Sequence, residues 1–221
     1  MGSKIRTVAE RRRRAMVMLA VLAGVGFLLG WLPDAGWADV TLYPYFVMKG
    51  TASERRILNA ARSSIQRALG ADLSIPERIP WPAVRAGVFI SLMDGARVRA
   101  CVGSFMPAED SLSEALMSLG PHVVSVDMRR EPVALEELKD LKLVVSFVGR
   151  PEPCSDPFDV DFRREGLKTV VEGRQRLLLP GESRTLSNGI RTVLGIQDPG
   201  RAVFERFSVV TLDERSWEES R

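Results

Sequence analysis

Histidine and cysteine, on which most zinc sites and many nucleophilic active sites depend, are scarce in this sequence. It has one histidine, His122, and two cysteines, Cys101 and Cys154, which lie 53 positions apart. This spacing does not match a zinc site, and a single histidine excludes a histidine-rich metal centre. The sequence also lacks a Gly-x-Ser-x-Gly elbow, so it offers no basis for a Ser-His-Asp hydrolase. We therefore expect no metal ion and no other cofactor.

Net positive charge is absent from most of the chain, although the whole chain carries +3. Residues 1–38 contain six basic and two acidic residues, so they carry +4 and the remainder carries −1. A globular part without a net basic field argues against a nucleic-acid binder. The sequence has no phosphate-cradling glycine loop, no internal repeat and no low-complexity segment.

The basic leader runs into an uncharged apolar stretch. Arg11–Arg14 precede the 18 residues Ala15–Leu32, and this length is at the lower end of what spans a bilayer as a helix. The flanking arginines predict that the N-terminus stays cytoplasmic and that the following domain is exported. We favour an uncleaved single-pass anchor in the cytoplasmic membrane, because the run exceeds the usual signal-peptide core. The small-x-small sequence Gly36–Ala38 leaves cleavage near Ala38 open, which would give a secreted or periplasmic protein.

Composition divides the chain into four parts. These are a basic leader with the membrane or signal segment (1–38), a tether (39–50), a globular domain (51–214) and a polar tail (215–221). The tether contains Tyr43, Tyr45 and Phe46. Such aromatic residues suit a membrane interface, but they suit equally well an edge segment that packs on the domain.

Two apolar runs joined by Asp94-Gly95 occupy the centre of the globular part. Asp-Gly is a strong hairpin signal, and a two-residue turn there would place Phe89 opposite Ala100. Strand residues alternate between two faces. In this register one face carries the predicted core residues Phe89, Val98, Ala100 and Val102. The other face carries Arg99, Cys101 and Gly103.

Arg99 and Cys101 would then point the same way from one rigid strand. A guanidinium beside a thiol favours the thiolate, which can act as a nucleophile or a redox group. A glycine at position 103 would let a ligand or another chain approach the backbone closely. The alternative is that Cys101 packs as a small apolar side chain, as buried cysteines usually do. We expect both cysteines to be thiols.

The remaining patterns predict an α+β fold. Thr51 with Glu54, and Ser111 with Glu114, form capping boxes that begin two helices. Gly120-Pro121 is expected to break the second helix. Glu172-Gly173 predicts another hairpin, and the prolines between 151 and 157 predict a loop that carries Cys154.

Several segments resemble, in order, those of the AMMECR-type domain family. The stretch GVFISL followed by VRACVG (Val98–Gly103) is similar to the signature of that family. Further similar segments follow at Asp127–Leu138, Leu141–Pro153, Arg164–Pro180 and Val203–Val209. The resemblance covers roughly residues 51–214. It departs from the family at Ala100, where the motif has glycine, and at Arg130, Glu131 and Glu165.

This resemblance implies an antiparallel sheet of about five strands flanked by helices, a smaller subdomain and a cleft near the VRACVG strand. It adds Asp127 and Arg129 to the motif positions, and Asp127 is the expected partner of Arg99 if Arg99 is buried. The implied function is an interaction or accessory module, with a Memo-like or radical-SAM protein as partner. The alternative is a cysteine-dependent or redox-active protein that uses Cys101 beside Arg99.

Overall fold

The computed structural model describes residues 40–73, 86–95, 97–106, 109–125 and 131–214. Four α-helices lie among them: α1 Tyr43–Phe46, α2 Ala52–Ala68, α3 Leu112–Ser125 and α4 Leu186–Thr192. The strands are β1 Gly87–Asp94, β2 Arg97–Ser104, β3 Lys142–Val148, β4 Glu152–Cys154, β5 Glu165–Val171, β6 Arg174–Leu178 and β7 Phe204–Asp213. The predicted membrane segment Ala15–Leu32 lies outside the described residues, and none of the described helices is long and apolar enough to cross a bilayer.

The strands form an antiparallel sheet in the order β2-β1-β3-β7-β5-β6, and β4 pairs with β7. The α+β class is confirmed, but the described part of the sheet has seven strands instead of about five. β4 accounts for part of the difference, because the prolines between 151 and 157 predict a loop where Glu152–Cys154 form a strand. Pro153 is tolerated there because the strand is only three residues long and has one partner, opposite Phe204–Arg206.

Two apolar clusters cover the two faces of β1. Ile90 and Leu92 belong to the cluster that α2 and α3 cover, which we call the helix-side cluster. Phe89 points the other way and packs with Val148 and Phe207. A third cluster surrounds α4 and includes Leu167, Leu178, Ile190, Leu194 and Phe204. Because β1 is buried on both faces, its sequence is apolar at nearly every position.

Helix α3 continues through Gly120-Pro121, so the predicted break is wrong. Proline has no N–H to donate to the carbonyl four residues earlier, which is that of Met117. The hydroxyl of Ser64 on α2 donates to that carbonyl instead, at 3.3 Å. A Cβ on Gly120 would collide with Ser64. The two helices therefore approach closely enough for α2 to supply the hydrogen bond that Pro121 removes.

The tether packs on the domain through one of its faces. Leu42, Tyr45 and Met48 are buried in the helix-side cluster. The Tyr45 ring stacks on that of Phe147, with centroids 3.8 Å apart and an interplanar angle of 8°. Leu42, Tyr45 and Met48 therefore pack on the domain, as the alternative of an edge segment predicts. Tyr43 and Phe46 remain exposed.

Candidate functional site

The β1–β2 hairpin has a different register from the one that Asp94-Gly95 predicted. Asp94 pairs with Arg97, so the turn lies one residue later, and Gly95 has φ +56°. Met93 then faces Val98 and Leu92 faces Ala100, which leaves Arg99 as an extra residue in β2. Such a β-bulge exchanges the faces of all residues beyond it.

The bulge decides which residues of β2 enter each core. Ala100 and Val102 lie opposite Leu92 and Ile90 and pack in the helix-side cluster. Cys101 lies opposite Ser91 and packs against the cluster that contains Phe89. The predicted shared face of Phe89, Ala100 and Val102 is therefore wrong, because the pattern of apolar residues in β2 carries no mark of the bulge.

Arg99 binds a carboxylate across a loop. Its Nε donates to Glu137 Oε2 at 2.9 Å and its Nη2 donates to Glu137 Oε1 at 2.8 Å. Nη2 also donates to the carbonyls of Glu131 and Pro132. The Arg99 side chain is 14% exposed and that of Glu137 is 35% exposed. The hydrogen bonds from Arg99 lower the pKa of Glu137 against the effect of burial, and the Ala134 N–H adds to the lowering.

Arg99 and Cys101 are not brought together as the sequence predicted. The Arg99 guanidinium donates to Glu137 and to backbone carbonyls of the segment that precedes it. In the same segment, Val133 and Leu138 pack in the helix-side cluster, so the guanidinium lies towards that side of the sheet. Cys101 is half-buried among apolar residues on the other side of the sheet. The two side chains therefore do not share one face of β2, as the predicted register required.

Among the described residues, the carboxylate that binds Arg99 is Glu137. The expected partner Asp127 and the motif position Arg129 lie outside the described residues, so the pairing of Asp127 with Arg99 stays a prediction. Glu137 belongs to the same similar segment, Asp127–Leu138, but the resemblance did not single it out. The long side chain of glutamate and the helical turn Glu137–Lys139 together bring the carboxylate to the guanidinium.

Gly103 is required by packing within the chain. A Cβ at this position would lie 2.5 Å from Phe89 Cδ1, because the Phe89 ring covers the glycine from the paired strand. The space that a Cβ would occupy at Gly103 is therefore filled by the backbone of Val88 and Phe89 and by the Phe89 ring. The predicted close approach is real, and the group that approaches is strand β1 of the same chain.

The two cysteines are both thiols in the structure. Cys154 lies on β4, where its Sγ donates to the carbonyl of Asp156 at 3.2 Å. Burial raises the pKa of the Cys154 thiol, and the nearby charge of Arg206 opposes this in part. A thiol with a raised pKa is a poor nucleophile at neutral pH.

A cleft of about 930 Å³ opens where β2 ends. We call it the β2-end cleft and define it by its apolar floor of Phe89, Phe105, Val148 and Leu177 and its rim of Met106, Arg150, Lys168, Gln175 and Glu205. Gly103 and Ser104 of the motif also line it, whereas Arg99 and Cys101 are not among its lining residues. Strands β1, β2, β3, β5, β6 and β7 all contribute to its wall.

An aromatic cluster and one ion pair fix the shape of the cleft. The Phe105 ring meets Phe89 and Phe207 edge-on, with centroids 5.4 and 4.9 Å apart. Lys168 Nζ lies 2.6 Å from Glu205 Oε2 and 5.7 Å from the centre of the Phe105 ring. The lysine and the glutamate neutralise each other, so the cleft presents apolar surface with a balanced polar rim.

The rim exposes one large apolar side chain. Met106 is 84% exposed, although its backbone is held by Ser104, whose hydroxyl accepts from the Met106 N–H at 3.1 Å. Methionine is flexible and polarisable, and it is common on surfaces that bind other proteins. The cleft therefore has the composition of a binding surface, and its lining residues do not include a nucleophile paired with a base.

Sequence reasoning missed Lys168, Glu205 and Met106. Lys168 and Glu205 face each other because β5 and β7 pair in one particular register. That pairing joins residues 37 positions apart, and no local pattern specifies it. Met106 follows the motif strand directly, so its position beside VRACVG was the one available signal.

Known proteins similar to this chain were found at the levels of family, sequence and fold. Residues 58–194 match the family described as AMMECR1. A protein of Thermotoga maritima is 32% identical over 111 residues, which span 49% of this chain and 62% of that protein. The chain thus covers less than two thirds of that relative. A protein of Methanothermobacter thermautotrophicus is 31% identical over 135 residues, which span 57% of this chain and 70% of that protein.

The fold also occurs in a solved structure. The crystal structure of the uncharacterized protein PH0010 from Pyrococcus horikoshii superposes with a TM-score of 0.52 at 23% identity. The superposition covers 70% of this chain and 88% of that chain. At this level of identity the likeness shows a shared fold.

Proposed function

Because the chain belongs to the AMMECR1 family, we propose that it is an interaction module whose partner docks in the β2-end cleft. The observation that carries this proposal is the combination of an apolar floor with the highly exposed Met106 at the rim. An exposed methionine above buried aromatic rings costs solvation in the isolated protein, and a partner that covers it removes that cost. The family resemblance makes a Memo-like or radical-SAM protein the proposed partner.

The charge of the cleft supports a protein partner over a small charged ligand. Lys168 and Glu205 form an ion pair within the rim, so neither offers a full charge to a ligand. Arg150 adds one further cationic group. Interfaces combine such a polar rim with an apolar centre.

We do not propose a thiol enzyme. Arg99 engages Glu137, and Cys101 lies among apolar side chains. An activated thiol depends on a neighbouring base or cation, and the guanidinium expected to fill this role binds the carboxylate of Glu137.

We also propose that residues 15–32 anchor the chain in the cytoplasmic membrane and that the domain is exported. The run of 18 uncharged residues behind four arginines supports this. Cleavage near Ala38 would release the domain instead. A partner has to share the compartment of the domain, so the topology also restricts which partner can bind.

Titration of the full chain with purified Memo-like and radical-SAM proteins tests the docking proposal. The chain is held in detergent or in a lipid nanodisc, and binding is followed by calorimetry. We expect saturable binding of one of the two proteins. If neither binds at concentrations up to about 100 µM, the free energy of association is weaker than about 5.5 kcal/mol, and the proposed partners are wrong.

A further inference from the structure

The segment around α1 has two faces of different character. Its inner face packs in the core through Leu42, Tyr45 and Met48. Its outer face carries Tyr43, Phe46 and Val47, which we call the aromatic strip. These side chains are 52%, 55% and 50% exposed. They follow the i, i+3, i+4 spacing of one helical face, so they form one patch and are not scattered apolar residues.

The chain around the aromatic strip is basic. Residues 40–71 contain five basic residues and one acidic residue, Glu54. Glu54 is fully buried and accepts from the backbone N–H of Gly50. Lys49, Arg55 and Arg56, by contrast, are exposed and follow the strip within nine positions. Aromatic residues beside cationic residues are typical of segments that lie in the interface of an anionic bilayer.

The distance along the chain limits where the strip can lie. Seven residues, 33–39, separate the end of the apolar run at Leu32 from Val40. Val40 follows Leu32 by eight residue steps, so the two are at most about 29 Å apart, since each step adds roughly 3.3–3.6 Å. If residues 15–32 cross a bilayer, Val40 therefore lies within about 29 Å of its surface, and the aromatic strip begins three residues later.

We propose that the aromatic strip, with Lys49, Arg55 and Arg56, rests on the headgroup region of an anionic bilayer. This inference rests on the proposed anchoring of residues 15–32. It adds a second contact, which holds the domain in one orientation against the membrane. The lipid occupies the exposed sides of Tyr43, Phe46 and Val47, while Tyr45 keeps its stacking on Phe147.

Photo-crosslinking tests this contact in the full chain. The photoreactive residue p-benzoylphenylalanine replaces Phe46 in one variant and Phe158 in the other. Phe158 is a matched control because it is 53% exposed, against 55% for Phe46. Both variants are reconstituted in vesicles of phosphatidylcholine mixed with phosphatidylglycerol, and in vesicles of phosphatidylcholine alone. Carbonate extraction measures anchoring, and mass spectrometry measures lipid adducts.

We expect the yield of lipid adducts at position 46 to be at least about fivefold above that at position 158. The yield at position 46 should be lower in phosphatidylcholine alone, because the cationic residues then have no anionic headgroups to attract them. Equal yields at the two positions, or an adduct of position 46 with protein only, would overturn the inference while anchoring stands. Loss of the chain from the vesicles on carbonate extraction would overturn the anchoring and the inference together.

Discussion

Arg99 shows how one side chain of the motif serves the fold. Its planar guanidinium binds both carboxylate oxygens of Glu137 and also two backbone carbonyls. Lysine could not form this forked arrangement. The arginine thereby holds the segment from Glu131 to Glu137 against β2, and this structural role accounts for its position without any chemistry at Cys101.

Arg99→Ala should destabilise the protein by about 1–2 kcal/mol, because the half-buried Glu137 loses its charged donor while the carbonyls of Glu131 and Pro132, on exposed residues, can bind water instead. Chemical denaturation of the full chain measures this. Arg97→Ala is the matched control, since Arg97 lies on the same strand but is exposed, and we expect a change within about 0.5 kcal/mol. Equal effects of the two substitutions would show that the Arg99–Glu137 pair contributes nothing specific.

The pair should also make stability depend on pH. The folded pKa of Glu137 lies below its ordinary value of 4.5, so the unfolded chain takes up the proton first as the pH falls. The stabilisation is therefore fully present above about pH 5.5 and is lost as the pH falls through the folded pKa. Against Glu137→Gln, the wild-type chain should lose more of its unfolding free energy between pH 6 and about pH 3. Parallel pH curves for the two proteins would refute this assignment.

At the scale of elements, helix α3 depends on its neighbour. Pro121 deprives the Met117 carbonyl of its helical donor, and Ser64 of α2 replaces that donor. Ser64 is 2% exposed, so no bulk water can substitute for it. The sequence signal Gly120-Pro121 correctly marks a missing hydrogen bond, but it cannot reveal that another helix supplies one.

Ser64→Ala should therefore cost about 1–3 kcal/mol, since it leaves a buried carbonyl unsatisfied. In a Pro121→Ala variant, the backbone N–H at position 121 can donate to the Met117 carbonyl. Ser64→Ala should then reduce the free energy of unfolding by at least about 1 kcal/mol less than it does in the wild-type chain. Ser63→Ala, one residue earlier on α2, serves as control and should change little. Strict additivity of the Ser64 and Pro121 substitutions in denaturation would contradict the exchange of donors.

The hairpins show what local sequence can and cannot specify. Glu172-Gly173 forms the predicted turn, with both residues at positive φ and Val171 opposite Arg174. Asp94-Gly95 predicts its hairpin equally well, but the bulge at Arg99 then reverses the faces. A bulge depends on how β2 packs against both cores, and no pattern of two or three residues encodes that packing.

At the scale of the whole molecule, the sequence predicted the α+β class, the capped starts of α2 and α3, and the family. Thr51 accepts from the Ser53 N–H, and Ser111 accepts from the Glu114 N–H. The cleft could not be built from sequence, because its wall comes from six strands whose order is set by non-local pairing. Four of the five similar regions nevertheless contribute residues to the cleft, among them Gly103, Val148, Lys168 and Glu205. The fifth, Asp127–Leu138, contains Glu137, which binds Arg99.

The proposed anchoring and export of the domain give a further prediction. A reporter that is active only outside the cytoplasm, fused after Asp39, should be active, since arginines before an apolar run favour a cytoplasmic N-terminus. Replacing Arg11–Arg14 with glutamine should weaken or invert this orientation. A fusion active only in the cytoplasm would contradict the proposed export of the domain.

The most direct test of the proposed docking site compares two exposed apolar positions. Met106 on the rim of the β2-end cleft and Val203 outside its lining are each 84% exposed, so Met106→Asp and Val203→Asp should both preserve the fold. The affinity for the bound Memo-like or radical-SAM protein is then measured by calorimetry with each variant. We predict that Met106→Asp weakens binding at least about tenfold, or roughly 1.4 kcal/mol, and that Val203→Asp leaves it unchanged. Unchanged affinity with Met106→Asp, or an equal loss with both variants, would contradict docking in the cleft.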